Sequence, residues 1–377
     1  MFDTDVFVIG GGPAGVAAAI AAARNGLRVT VADGRRPPLD KACGEGLLPD
    51  SLAAAAALGI TLPARETHPF SGIRFVRGDA TAEAAFRGAS SLKFSALGVR
   101  RTVLHRVLTE HAERVGVTFL WGTSVSGIDG HAVRMPNTSM SAKWISAKWI
   151  VGADGASSRV RMWAGLDTYT RNHVRFGFRR HYGIAPWSEF TEVYWAQGAQ
   201  VYVTPVAHDE VGVASLSRDP HLRLNDALAL LPELRERLSG VPERSSERGA
   251  VTATRRLRAV YRGHIALVGD ASGSVDAITG QGLGLSFREA LALGQALSQA
   301  DLAQYQTAHA RILRRPAWMA ELLLAMDRWP RAGARAMRTF HDCPGLFAGL
   351  LDAHIGRAEP LEEIAMHARL GWRMLRG

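Results

Sequence analysis

The sequence predicts an α/β fold with three parts: a three-layer dinucleotide-binding domain, an antiparallel β-sheet domain inserted in two pieces, and a C-terminal helical region. Three observations predict it. The chain opens on an apolar strand, a glycine turn, a helix, a second strand and an acid. Two later apolar runs, ending at Gly152 and Val268, each lead into a turn built of glycine and aspartate. Between these motifs, residues 70–97 and 173–216 alternate with a period of two, as half-buried strands do. The boundaries that follow are 1–69, 98–166 and 255–300 for the discontinuous first domain, 70–97 and 167–254 for the sheet domain, and 301–377 for the helical region.

The opening motif is the most specific. Asp5–Ile9 is the strand, and Gly10, Gly12, Pro13, Ala14 and Gly15 form the turn and open the helix. Gly10 permits the sharp turn, Gly12 lets backbone approach a pyrophosphate, and Gly15 lets the helix pack on the sheet. The helix N-terminus offers free N–H groups and a partial positive charge to phosphates. Asp33, followed by Gly34 and Arg35, ends the second strand about 20 residues on, where a ribose hydroxyl acceptor is expected. The set points to an adenine dinucleotide.

The chain has 377 residues, long enough for two or three domains with a large core. With 47% hydrophobic and 21% charged residues it reads as an ordinary soluble globular protein. Cys43 and Cys343 are its only cysteines, so neither a disulfide framework nor a zinc spacing is expected. No apolar run reaches about 18 residues, and Met1–Asp3 leads straight into the first strand without the basic start of a secretory leader. The expected location is cytoplasmic, with peripheral membrane contact as an open alternative. The net charge of +10, mostly arginine, suits a solvated surface, an anionic ligand or an acidic membrane. Nucleic acid is not expected, because no recognition module or basic block with interleaved aromatics is present. No partner protein is identifiable.

Along the chain, an alanine-rich helix is expected from about Asp50 to Leu58. Strands are expected at Ile73–Val76, Ala80–Phe86 and Leu92–Phe94. Apolar spacing of three and four predicts a helix over Arg100–Val115, then strands at Val117–Trp121, near 124–128 and near 131–135. Residues 141–150 read Ser-Ala-Lys-Trp-Ile twice. A shift of five reverses the faces of a strand, so the second copy is expected as a strand and the first as a loop or a longer hairpin. Four strands are expected over 173–216, one helix over Leu224–Leu238, and helices over Gln281–Ala300, 302–328, 332–340 and the C-terminus.

Gly152-Ala153-Asp154-Gly155 ends the second apolar run, Gly269-Asp270-Ala271-Ser272 follows the third, and Gly280-Gln281-Gly282-Leu283-Gly284 opens the next helix. With the first motif these stand in fixed order, and here the chain resembles the FAD-dependent flavoprotein superfamily of aromatic hydroxylases (single-component flavin monooxygenases), flavin halogenases and geranylgeranyl reductases. The resemblance spans about residues 1–300. It implies a p-hydroxybenzoate-hydroxylase-like fold, non-covalent FAD, and NADPH or NADH as a transient reductant, with a separate electron donor as the alternative. It further implies that Asp33 binds the adenosine ribose and that Arg101 lies along the phosphates. Asp154 helps seat the pyrophosphate, and Asp270 binds the ribityl chain. The helix start at Gly282 then meets the flavin pyrimidine edge. The Trp-x-Trp-x-Ile-Pro signature of the halogenases is absent.

Cys43 and Gly44 resemble the Cys-Gly segment that lies near the flavin in the geranylgeranyl reductases, while the aromatic-proline signature of that group is missing. Cys43 is therefore either a candidate beside the flavin or a packed loop residue. Arg179, His181, Tyr194, Trp195 and Tyr202 on the expected sheet are the substrate candidates, against the alternative of packed or solvated sheet residues. The implied reaction is hydroxylation of an apolar aromatic or phenolic substrate through a flavin C4a-hydroperoxide. The alternatives are reduction of isoprenoid double bonds and a non-catalytic flavoprotein partner.

Overall fold

The computed structural model describes residues 1–87, 96–136 and 143–358. The expected strand Leu92–Phe94, the first two residues of the pentapeptide repeat, and the C-terminus from 359 lie outside the described residues. In chain order the elements are β1 (Thr4–Ile9), α1 (Pro13–Arg24), β2 (Val29–Asp33), β3 (Gly46–Leu47), α2 (Pro49–Ala57), β4 (Thr67–Phe70), β5 (Gly72–Arg77), β6 (Ala80–Ala85), β7 (Ala96–Val99) and α3 (Arg101–Arg114). There follow β8 (Thr118–Trp121), β9 (Gly127–Asp129), β10 (Ala132–Met135), β11 (Lys143–Gly152), α4 (Arg159–Trp163), β12 (Tyr169–Tyr182), β13 (Phe190–Ala196), β14 (Ala199–Ala207) and β15 (Glu210–Ser217). The rest is α5 (Leu224–Ala229), α6 (Pro232–Arg237), β16 (Arg248–Leu257), β17 (Tyr261–Arg262), β18 (Ile265–Leu267), α7 (Gly282–Ser298), α8 (Leu302–Arg328), α9 (Pro330–Asp342) and α10 (Pro344–His354).

One sheet has the order β17-β18-β11-β1-β2-β8, parallel from β18 to β8. Its strands are nearly continuous apolar runs because both faces are covered. Val6 and Val8 enter one core with α1, α3 and α7, whereas Phe7 and Ile9 enter another with Val160 of α4. The small residues of α1 let α7 come close: a Cβ on Gly294 would sit 2.7 Å from that of Ala21. The pentapeptide repeat takes the longer-hairpin form. Lys143–Ser146 pairs antiparallel with β10, then Ala147–Gly152 pairs parallel with β1 within the same strand. The two repeat tryptophans have different surroundings, Trp144 exposed and Trp149 packed on the core.

The second sheet has the order β16-β12-β15-β14-β13-β5-β6, antiparallel except at β13–β5. Alternation divides it. Val193, Trp195 and Leu216 face α8, α9 and α10, while Tyr182, Tyr194, Val201 and Val203 face α5 and α6. Two expectations need correction. The single helix over 224–238 is two, because Pro232 has no N–H to continue α5 and instead opens α6. The strand β16 is absent from the sequence reading, yet it pairs with β12 from Arg179↔Arg248 to Tyr169↔Leu257. Among the described residues no helix is long and apolar enough to cross a membrane, and no group of His, Cys, Asp and Glu could hold a metal ion.

Candidate active site

Three turns meet at the ends of β1, β2, β11 and β18. Gly10 has φ +115°, and a Cβ there would sit 2.4 Å from the Ala153 carbonyl oxygen. A Cβ on Gly15 would sit 1.9 Å from the carbonyl oxygen of Gly10. These two glycines are packing requirements. Gly12 differs, because a Cβ there would meet nothing within 4 Å. Pro13 opens α1, whose N-terminus carries no side-chain cap and no acid in its first turn. Ala14 faces Gly269, where a Cβ would sit 2.5 Å from its methyl, so the first and third motifs touch.

Asp33 accepts N–H bonds from Gly11 (2.9 Å) and Arg35 (2.8 Å), which hold its carboxylate at the rim of the glycine turn. Gly34 packs on Ser124, and the Arg35 side chain is mostly exposed. The Arg101 side chain, at the first turn of α3, has its Nε buried with no partner among the described residues. Asp154 is committed locally. It accepts from the Ser158 hydroxyl and from the N–H groups of Arg159 and Val160, so its carboxylate shapes the turn around Gly155. Asp270 is half-exposed, with Lys41 at 3.5 Å.

Gly280 ends a short turn in the left-handed conformation, at φ +66°. After it α7 begins at Gly282, again without a cap or an acid in the first turn. A Cβ on Gly280 or Gly282 would meet nothing, whereas one on Gly284 would sit 2.0 Å from the Ser51 hydroxyl. The Leu283 side chain lies in the core, leaving its N–H for a ligand. Two uncapped helix N-termini, an open cradle at Gly12 and an unpaired guanidinium nitrogen together fit an anionic dinucleotide.

Glu289 lies beneath this floor. Its Oε2 accepts the Gly269 N–H at 2.7 Å, and Ser272 and His309 adjoin it. Burial pushes its carboxyl up to about 8 and pushes His309 down to about 4.

An apolar cavity of about 110 Å³, partly open to solvent, adjoins the α7 N-terminus, between the second sheet and helices α8–α10. Gly44, Gly46, Thr279 and Gly280 line one part, and Phe75, Met319, Leu323 and Phe347 are among the apolar residues that line the rest. Trp195 and Tyr202 line it, with the Tyr202 hydroxyl donating to Ile278 O at 3.1 Å. Tyr194 does not. It follows Val193 and precedes Trp195, so it points to the opposite face, where its hydroxyl donates to Glu192 at 2.7 Å.

Arg179 and His181 do share a face, but they are not among the lining residues and are sealed in a polar cluster. Arg179 bonds Asp40 and the His181 Nδ1, and His181 Nε2 donates to Glu45 Oε2 at 2.6 Å. Cys43 is likewise absent from the lining. It packs against the first core, and its Sγ accepts the Glu45 N–H at 3.4 Å.

Two buried polar residues of this region carry little or no signal in the sequence. Glu45 is buried with φ +59°, and its Oε1 accepts the Arg101 N–H at 2.8 Å, so it ties α3 to β12. Its one signal is an acid set between two glycines. His354, from the end of α10, lines the cavity and donates from Nε2 to Thr279 O at 3.0 Å. Burial pushes its pKa down to about 4, so the ring is neutral at pH 7. No local sequence signal marks it.

Comparison with known proteins agrees with this geometry. The chain is 28% identical to the menaquinone reductase of Mycobacterium tuberculosis over 80% of its own length and 78% of that protein. It is 26% identical to the 3-demethoxyubiquinol 3-hydroxylase of Escherichia coli over 77% and 78%. It is 27% identical to digeranylgeranylglycerophospholipid reductase 2 of Methanosphaera stadtmanae over 80% and 79%. The solved structure of a flavoprotein/dehydrogenase from Cytophaga hutchinsonii matches with a TM-score of 0.80 over 99% of both chains, at 17% identity. It shares the fold. The FAD binding domain family model matches residues 3–313, and the chain belongs to that family, as an FAD-dependent oxidoreductase of the hydroxylase and reductase superfamily.

Proposed function

We propose that the protein is a monooxygenase that hydroxylates a large, mostly apolar phenolic substrate, with NADPH or NADH as transient reductant. The cavity beside the α7 N-terminus carries this reading, since its lining is hydrocarbon and aromatic with few polar groups. Bound FAD supplies the redox and oxygen chemistry. The chain's own residues bind, orient and exclude water. Asp33 takes the ribose, Arg101 and the α1 N-terminus take the phosphates, and Asp270 takes the ribityl chain. The free N–H groups at the α7 N-terminus, Gly282–Gly284, would hold the flavin's pyrimidine edge and stabilise negative charge there. Sheet and helices seal the substrate ring from water.

The reductase reading draws on the two reductase relatives and would use Cys43 as a proton relay. The position of Cys43, packed on the core with its sulfur on the Glu45 N–H, favours the hydroxylase instead. Cys43→Ser should leave NADPH-dependent oxygen uptake within a few-fold of wild type. Loss of about 10²–10⁴-fold, the usual value of a general acid, with FAD retained, would favour the reductase.

The outer faces of α8 and α9 support contact with an acidic membrane. Arg311, Arg314, Arg328, Arg331 and Arg338 are exposed there beside Trp318 and Trp329. The inner face of α8 forms the cavity wall through Met319 and Leu322.

A further inference from the structure

The backbone at Glu45 is left-handed, with φ +59°, a conformation that suits glycine and strains a glutamate. Glycines stand on both sides, yet this position carries a charged side chain that is only 1% exposed. Such an outlier persists where the surroundings hold it. Here the carboxylate is what they hold. Its Oε1 accepts the Arg101 N–H at 2.8 Å, and its Oε2 accepts from the His181 Nε2 at 2.6 Å. The first N–H groups of a helix have no partner within it, and α3 receives no side-chain bond from its own capping residue, Arg100. Glu45 therefore caps α3 from outside, with a negative charge at the positive end of the helix. Arg100 in turn pairs with Glu210 of β15 at 2.7 Å. The helix start that carries Arg101 is thus fastened to two strands of the second sheet, to β12 through His181 and to β15 through Glu210. The Arg101 Nε has no partner among the described residues, so the backbone at this helix start is what places the guanidinium.

The protons on this contact are fixed as well. The Arg179 Nη1 lies 3.1 Å from the His181 Nδ1, and a guanidinium only donates. The Nδ1 therefore accepts, and the ring proton sits on Nε2, toward Glu45. Two N–H donors converge on residue 45, one on each oxygen. A carboxylate accepts both, whereas an amide of the same shape must turn its NH2 group against one of them. We infer that Glu45 is a positioning residue for FAD: standing between α3 and His181, its carboxylate fixes the start of the helix and so aims Arg101 at the phosphates. The inference rests on Arg101 as the phosphate ligand. It adds that a histidine of the sheet that walls the cavity, acting through Glu45, sets the affinity for the cofactor.

The test is titration of the FAD-free chain with FAD, read by quenching of flavin fluorescence, beside a thermal melt of each apoprotein. Arg101→Met and Glu45→Gln should each lose about tenfold or more in affinity, the size of one charge-assisted hydrogen bond. His181→Gln should bind FAD within a few-fold of wild type, because its amide can still donate to Glu45. The double variant Glu45→Gln/His181→Gln is decisive. Its amide at 181 can turn an oxygen to the amide at 45, which leaves the oxygen at 45 for the Arg101 N–H. It should recover most of the lost affinity, whereas a merely structural role makes two substitutions worse than one. Wild-type affinity in Glu45→Gln, or a double variant that binds FAD no better than Glu45→Gln, overturns the inference. If Glu45→Gln does not fold, His181→Leu carries the test: it removes the donor, leaves Glu45 in place and should weaken FAD binding several-fold, and unchanged affinity overturns the inference. Arg101→Met with wild-type affinity overturns the phosphate reading and the inference together, while a loss in Arg101→Met with none in Glu45→Gln overturns the inference alone. Turnover is not read, so the outcome does not depend on whether the substrate is hydroxylated or reduced.

Discussion

Gly12→Ala should separate cofactor binding from folding. The Gly12 backbone has φ −71° and ψ 173°, a conformation alanine adopts without strain, and its added methyl meets no protein atom within 4 Å. Replacing a glycine at such a site stabilises a fold by about 0.4–1 kcal/mol through the unfolded chain. The apoprotein should therefore melt at the same temperature or slightly higher. On the proposed FAD site, the methyl would crowd the pyrophosphate at the first turn of α1. Losing one charge-assisted hydrogen bond there costs about 1.5–3 kcal/mol, or roughly ten- to a hundredfold in FAD affinity. Gly15→Ala is the contrasting variant, since its Cβ would sit 1.9 Å from Gly10 O and must distort the turn itself. It should destabilise the apoprotein by several kcal/mol, as overpacking in a rigid site does. Thermal melts of the apoproteins and FAD titrations read both effects. A Gly12→Ala protein with wild-type FAD affinity, or one as unstable as Gly15→Ala, would refute the reasoning.

Asp270→Ala should lose about ten- to a hundredfold in FAD affinity while the apoprotein stays folded; among the described residues the half-exposed carboxylate pairs only with Lys41, at 3.5 Å, so the core does not depend on it. Glu289 gives a pH dependence. Its folded pKa of about 8 lies above the ordinary 4.5, so the folded state holds an extra proton between those values. Its contribution to stability is complete below about 4.5 and is lost as pH rises through about 8. His309, lowered from 6.5 to about 4, acts with the opposite sign at lower pH. From pH 6.5 to 8 the apoprotein should therefore lose up to about 1.4 kcal/mol per pH unit in urea unfolding, and Glu289→Gln should flatten that slope; an unchanged slope would show Glu289 ionised in the fold. Vesicles containing phosphatidylglycerol should sediment the protein at low salt, pure phosphatidylcholine should not, and Trp329→Ala should weaken the effect; equal behaviour of the two lipids would remove the membrane reading.

Local motifs were the readable part of this chain. Gly10, Gly12 and Gly15 with Asp33 announce a strand–turn–helix because their backbone demands are met within thirty residues, and β1, α1 and β2 stand where those demands put them. The alternating strands of 173–216 were equally plain. Faces were legible only with register. Tyr194 and Trp195 are both aromatic, but consecutive residues on a strand point apart, so only one lines the cavity. Arg179 and His181 resemble ligand contacts by type, yet Glu45 and Asp40, more than a hundred residues earlier, claim them. His354 was hidden for the same reason. Its Nε2 bonds a carbonyl 75 residues away, and no spacing encodes such a contact. Asp154 shows the converse, a motif residue whose oxygens are used within its own turn.

Oxygen transfer to a phenolic substrate held in the apolar cavity distinguishes the proposed function from its rival. Its most direct test is mass analysis of the product after the FAD-loaded protein turns over with NADPH and a long-chain alkylphenol under ¹⁸O₂. The expected product is hydroxylated and carries one labelled oxygen atom, with no turnover in a sealed anaerobic vessel. Anaerobic, NADPH-dependent reduction of an isoprenoid double bond, with no label entering any phenol under oxygen, would contradict it.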